Sequence, residues 1–437
     1  MRPALYVSIP LLATSWAAQA DTAALLDDAS LNILSRNFFL NNDTRTGHSG
    51  DSYNREWAQG FIARFESGFT PGTVGVGVDA HDFVGLRLDS GRGRAGTGLL
   101  PVGDSGEAAD TYSSAGAALK LRLGSTTLKL GEMEVETPML DTGDKRLQPE
   151  YATGALLQGQ ASDKLDWTAG HFTAFKNQDE SSSASDFDGY GASTRHHSLS
   201  LLGLQSAASS AFGGAVYAAE LSDTWRQYYA NLHGKHLLNT DTRLSWDANL
   251  YRTLSSGAQS AGAINTTAGS LLGKLQRGAQ TISLGYQKIH GDTPFDFVGG
   301  DSIYLANSIK YADFNGANEQ SWQLRYDLDL GQWLTPGLSL MTRYVRGSQI
   351  DGSHAPRGGA YNPYDADLGS YVPNQGDGGR HWERDIEAKY RVQSGAAKDL
   401  ALSLSYVTHR GNDAQAGRDI DRLYVVLEYP LDVLGGH

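Results

Sequence analysis

The chain has 437 residues, a formal net charge of −13, no Cys, 40% apolar residues and a mean hydropathy of −0.38. That length suggests two or three soluble domains, and the acidic balance argues against broad nucleic-acid binding. No internal run approaches the ~18–20 apolar residues of a spanning helix, so helical membrane crossing is excluded. Zero Cys excludes disulfide scaffolds, Cys-based zinc sites, iron–sulfur clusters and a thiol nucleophile.

At the N-terminus, Arg2 is followed by the apolar run 4–16 and then by Ala18, Gln19 and Ala20. This pattern reads as a bacterial secretory signal, residues 1–20, cut before Asp21. An N-terminal amphipathic or core helix is the competing reading. Removing 20 of the 437 residues leaves 417, and losing Arg2 takes the charge from −13 to −14. Period-2 alternation then recurs along the chain. Leu119, Leu121 and Leu123 flank Lys120 and Arg122. Leu244, Trp246, Ala248 and Leu250 alternate with Ser245, Asp247 and Asn249. Trp322, Leu324, Tyr326, Leu328 and Leu330 alternate with Gln323, Arg325, Asp327 and Asp329. Ile386, Ala388, Tyr390 and Val392 follow the same rule, as do Leu400, Leu402, Leu404 and Tyr406. Leu423, Val425, Leu427 and Tyr429 form the last row, and residues 435–437 read as a tag remnant. No linker or long repeat divides residues 21–434, which are predicted to form one domain.

A soluble β-sandwich or barrel would bury the apolar face of each strand, whereas a membrane barrel would turn it to lipid. Three features favour the barrel. The strands run about 9–11 residues, the span of a tilted strand across a bilayer, against about 5–6 in globular sheets. Trp246, Trp322, Trp382, Tyr406 and Tyr429 sit at row ends, as interfacial girdles do. No block supplies the core that a soluble protein of this size needs. An allowance of ~23 residues per strand and connection gives about eighteen strands. Short connections at 124–126 and 395–398 read as periplasmic turns. Segments 43–53, 89–112, 132–152, 177–196, 290–316 and 347–381 read as outer loops. The predicted fold is all-β, a transmembrane antiparallel β-barrel.

Several motifs are read as loop chemistry. Residues 91–96 match G-x-G-x-x-G, but no helix follows, as a dinucleotide site requires. Gly103, Asp104, Ser105 and Gly106 resemble a serine-protease loop without a base in context. His196 and His197 are adjacent on an extended segment, so their side chains diverge and cannot easily share a metal ion. No carboxylate pair has a glycosidase context. No cofactor or metal is expected.

Segments in one order along the chain carry a family resemblance: 36–39 (RNFF), 56–61 (EWAQGF), 67–70 (SGFT), 72–79 (GTVGVGVD) and 88–101 (LDSGRGRAGTGLLP). They continue with 225–229 (WRQYY), 286–292 (YQKIHGD), 301–316, 321–327 (SWQLRYD), 336–338 (PGL) and 392–395 (VQSG). Together they resemble the OprD family of substrate-specific outer-membrane channels. Segments 169–173, 305–308 and 311–316 resemble most the subgroup passing basic amino acids, short peptides and carbapenems. The resemblance implies a monomeric eighteen-stranded barrel with an inward-folded constriction loop, residues 132–152, and a narrow eyelet. A ladder of basic side chains on one wall would face an electronegative side, so a solute exchanges its water shell stepwise and weakly enough to leave.

Carried over residue by residue, Arg146 matches the constriction-loop arginine. His171, Ser302, Ser308, Tyr311 and Asp313 match lumen residues at the eyelet, with Asp301 beside Asp313, and Asp223 matches a lumen acid. Lys389 matches a ladder lysine. Arg391, two residues on, shares its face, and Arg343, Arg410 and Arg422 extend a displaced ladder. Ser403 and Ser405 stand where the subgroup has arginines, Asn42 where it has a basic residue, and Phe297 where it has tyrosine. The expected function is passive, selective diffusion of small carboxylate-bearing solutes across the bacterial outer membrane. The partners implied are those solutes, outer-membrane lipid and lipopolysaccharide, and the barrel-assembly machinery. Nucleic acid is not among them, and the expected state is a monomer or weak trimer. The rivals are a channel for other small carboxylates, a barrel hydrolase using His171, Asp223 or Ser302, and a non-conducting adhesin barrel.

Overall fold

The computed structural model describes residues 22–45, 53–91, 93–183, 187, 198–207 and 211–434. The predicted signal segment 1–20, His196, His197 and residues 435–437 lie outside the described residues. After a short helix, Thr22–Asp27, the chain enters an eighteen-stranded sheet. Its first third comprises β1 (Ser30–Thr44), β2 (Tyr53–Glu66), β3 (Val74–Asp89), β4 (Thr111–Leu123), β5 (Thr126–Met133) and β6 (Tyr151–Ser162). Next come β7 (Leu165–Lys176), β8 (Leu199–Ser206), β9 (Phe212–Leu221), β10 (Trp225–Asn239), β11 (Thr242–Ser255) and β12 (Asn265–Arg277). The last third is β13 (Gln280–His290), β14 (Gln320–Asp329), β15 (Leu338–Asp351), β16 (Asp377–Arg391), β17 (Ala401–Gly411) and β18 (Ile420–Asp432).

Consecutive strands pair antiparallel, and β1 pairs with β18 from Asn32 opposite Asp432 to Thr44 opposite Ile420. The sheet is therefore closed. Closure lets strand amides and carbonyls pair without an edge, which hydrocarbon demands. The alternation decides which face meets lipid. Leu284 is 62% exposed on the outside of β13 while its neighbour Ser283 is buried inside. Leu202, Leu250, Leu271 and Leu324 point outward likewise, against buried Gln227, Asn249, Ser270 and Gln323. An apolar exterior around a polar interior is the pattern of a transmembrane barrel, not of a soluble sandwich. Trp322, Tyr344 and Trp382 follow one another around the outside, with ring centroids 5.5 and 5.9 Å apart, the first pair tilted and the second stacked. They form part of an aromatic girdle near one mouth.

Connections alternate over much of the barrel, with the three-residue β9–β10 connection 222–224 at the long-loop mouth as an exception. Short turns such as 124–125, 240–241 and 278–279 close one mouth, and segments 90–110, 134–150, 291–319 and 352–376 lie at the other. The long loops are shorter than the sequence suggested at 347–381, because β15 runs on to Asp351 and β16 begins at Asp377. Beyond the membrane band both strand faces are polar, so alternation stops marking a strand that still pairs.

The main apolar cluster lies inside the barrel, under the loops. Met139 and Leu140 of 134–150 and Phe295 of 291–319 pack on Phe172, Trp225 and Tyr251 of the wall. This burial is what pulls the loops inward. A second cluster holds Leu99, Leu100 and Leu147 against Phe38, Ile62 and Phe83. The G-x-G-x-x-G segment is clamped there: the buried Glu56 carboxylate accepts the amides of Gly96 (3.2 Å) and Leu99 (3.3 Å) and the Thr97 hydroxyl. Gly96 sits at φ +97°, open only to glycine.

Candidate functional site

The loops leave a lumen pocket of about 530 Å³ against strands β1 and β14–β18. Its floor is set by register. Alternation on β16 turns Asp385, Glu387, Lys389 and Arg391 inward while Ile386 and Tyr390 face out. Ser339 of β15 and Ser403 of β17 stand directly opposite Lys389. The lining carries seven cations, Arg36, Lys145, Arg146, Lys310, Arg325, Arg343 and Lys389, against four carboxylates, Asp144, Asp301, Glu387 and Glu428. The excess is positive. Arg343 is held by Asp385 (2.9 Å) and Arg36 by Asp144 and Glu428 (2.6 and 2.7 Å), so both are neutralised. Arg146 forms no ion pair among the described residues, and its Nε donates to the Thr97 carbonyl at 3.3 Å. The Lys389 side chain is 60% exposed to the lumen. Arg146, without an ion pair, and Lys389, exposed although its Nζ also meets Glu387 at 3.0 Å, are the cations a passing anion reaches most readily.

Across loop residues 304–306 lies a second lumen pocket of about 530 Å³. It carries Asp166 and Asp247, with no Lys or Arg in its lining. Asp247 accepts the Asn231 amide at 3.0 Å. The eyelet loop thus divides a cation-rich side from an acidic side.

The two inward loops are clasped to each other. One oxygen of the buried Glu150 accepts the amides of Gly143 (2.7 Å) and Gly300 (2.6 Å). The Asp141 amide donates to Ser302 Oγ (2.7 Å), and the Tyr304 hydroxyl donates to the Asp141 carboxylate (2.6 Å). Lys145 pairs with Asp301 and donates to the Gly300 carbonyl at 2.7 Å. Burial pushes the Glu150 and Asp141 carboxyls up to about 7.

A protein-family model described as outer membrane porin, OprD family, matches residues 23–433. The chain belongs to the OprD family. Porin D of Pseudomonas aeruginosa is 41% identical over 95% of this chain and 94% of that protein. The crystal structure of Pseudomonas aeruginosa OprD superposes with TM-score 0.81 at 39% identity, covering 95% of this chain and 98% of that one. OpdK of the same organism, solved with vanillate, gives TM-score 0.82 at 33% identity, covering 94% and 100%. OprD-family membership makes this chain an outer-membrane porin and a substrate-specific channel rather than an enzyme.

The structure brings part of the sequence-derived OprD-type site together. Arg146, Asp301, Ser308, Lys389 and Arg343 line the basic pocket, and so do Ser403 and Ser405. Asp313 stands behind Ser308, whose hydroxyl donates to it at 2.6 Å. Burial raises its carboxyl from the ordinary range and the Ser308 bond opposes that. The Tyr311 ring lies under the Arg422 guanidinium at 4.5 Å, beside His409. Arg391 faces the lumen nearer the short-turn mouth. Ser302 is buried in the loop clasp rather than open to the lumen.

Three placements correct the expectation. His171 bonds Ser200 at 2.8 Å on the outer face, in the row that carries Leu202 and Leu204 on β8. Arg410 shares the outward parity of Leu402, Leu404 and Tyr406 and pairs with Asp421 at 2.9 Å, outside any ladder. Asp223 occupies the tight β9–β10 turn at φ 54°, accepting the Ala258 amide at 3.0 Å. His171, Asp223 and Ser302 therefore lie on different surfaces, as no triad could. Sequence reasoning missed Arg36, Lys145, Lys310 and Arg325. Parity with Phe38 and Gln323 would have turned Arg36 and Arg325 inward, but no strand pattern reaches the loop lysines.

Proposed function

We propose that the channel passes small carboxylate-bearing solutes by passive, selective diffusion, with basic amino acids and short peptides as the leading class and carbapenems within it. The observation carrying this reading is the positive excess in the basic pocket, where Arg146 has no ion pair among the described residues and Lys389, paired with Glu387, still exposes most of its side chain to the lumen. The acidic pocket across the eyelet loop supports the basic-amino-acid form, since a solute with an ammonium or guanidinium end finds Asp166 and Asp247 there. Many weak, partly solvated contacts suit transport, because binding must draw the solute in and still release it. One closed barrel encloses the route, so a single chain suffices.

A second reading is favoured by Ser403 and Ser405, which line the pocket where the resemblance expects arginines. A thinned ladder suits another small carboxylate without a cationic end. Planar-bilayer recording with arginine, glutamate, benzoate and a carbapenem separates the two by which solute blocks discrete openings. Lys389→Ala is expected to shorten block by the preferred carboxylate by about 3–10-fold, the scale of one partly exposed ion pair. Unaltered block in that variant would remove the proposed role of the pocket.

A further inference from the structure

Glu387 is buried on the lumen face of β16, within the basic pocket. Its Oε2 accepts Lys310 Nζ at 2.6 Å and Ser405 Oγ at 2.8 Å, and its Oε1 accepts Lys389 Nζ at 3.0 Å. The donors arrive from three elements: Lys310 from the inward loop 291–319, Ser405 from β17, and Lys389 from β16 itself. Ser405 stands directly opposite Glu387 in the register. Two ammonium groups and a hydroxyl on one carboxylate form the donor set that a solute carboxylate would seek. Glu387 already occupies it.

We propose that Glu387 is a tethered competitor for the solute carboxylate, a specificity-determining residue that sets how weakly the basic wall holds its cargo. This rests on the reading that the basic pocket takes a carboxylate. A solute arriving at Lys389 shares or displaces the Glu387 carboxylate, and on leaving is replaced by it. The lysines are never left bare, so neither capture nor release strands a charge. The fixed anion also lowers the local positive potential, which keeps residence short. Lys310 supplies from the loop a cation that Ser403 and Ser405 do not supply from the wall.

The test is single-channel recording of Glu387→Gln, which keeps the shape and removes the charge. Block by benzoate or glutamate is expected to last on the order of 3–10-fold longer. The zero-current potential in a salt gradient is expected to move toward anion selectivity. Glu387→Asp, which restores the charge, is expected to return selectivity toward wild type, a rescue that a packing role would not give. Unchanged or shorter block in Glu387→Gln, with Lys389→Ala still shortening block, overturns the competitor role and leaves the carboxylate reading standing. Loss of any Lys389→Ala effect removes the reading beneath it. If the Gln variant does not assemble, Lys310→Ala carries the test with opposite sign. It should shorten block and shift selectivity toward cations, and an unchanged potential there also overturns the proposal.

Discussion

Ser403 shows how much one side chain decides in this lumen. It stands across from Lys389, lines the basic pocket, and is small enough to leave space there. Ser403→Arg would add a rung beside Lys389 without touching the lipid face. We expect normal assembly, longer carboxylate block and lower conductance in bilayers. Unchanged block would show that solutes pass elsewhere. Residue identity was readable here, and orientation was not always. His171 and Arg410 are polar, and a polar residue in a barrel strand suggests the lumen. Arg410 lies at the outer end of β17, where a polar side chain on the outer face meets the interface rather than hydrocarbon, and His171, midway along β7, stands opposite Ser200, the second residue of β8. Each also has a partner on the next strand, Ser200 and Asp421.

At the scale of elements, the clasp between loops 134–150 and 291–319 frames the eyelet. Glu150 Oε2 takes both loop amides, while Oε1 meets only the long 3.4 Å contact from the Gln178 side-chain amide and is the oxygen that carries a proton. Burial raises this carboxyl from 4.5 to about 7. The folded loops then bind more protons than the open ones between those values. The clasp is therefore fully made on the acid side and weakens as pH rises through about 7. Asp141, also lifted to about 7 by burial, acts in the same direction. Open-channel noise should increase on raising pH from about 5 to about 8. Glu150→Gln keeps an acceptor for both amides and should reduce that dependence, whereas Glu150→Ala should raise noise at every pH. Two orphaned buried amides cost about 1–3 kcal/mol each. A wild-type noise level flat with pH would refute the protonated clasp. None of this was legible in sequence, since Glu150 and Gly300 are 150 positions apart.

The whole molecule is an inverted globule: its apolar band faces outward and its polar residues face a lumen partly filled by loops. Leu284, near the middle of β13 between Gly273 and Leu324, belongs to that band. Leu284→Arg should cost about 2–4 kcal/mol near the bilayer midplane. The fraction of barrel resisting unfolding in a cold detergent gel should fall, while Ser403→Arg leaves it intact. Equal yields from the two variants would contradict the assignment of faces.

The sequence by itself determined the class of fold, because alternation at period two is a local property of each strand. Leu324 beside Gln323 and Leu250 beside Asn249 already say which side is apolar, and the number and rhythm of such rows imply an eighteen-stranded barrel. Conserving that rhythm also placed Lys389 and Ser403 on the lumen side. The eyelet was decided only by tertiary structure. Arg36, Lys145, Lys310 and Lys389 come from four separate segments and meet because barrel closure and loop burial bring them together. Local periodicity fixes which way a side chain points, but only the folded loops decide which charges share a space.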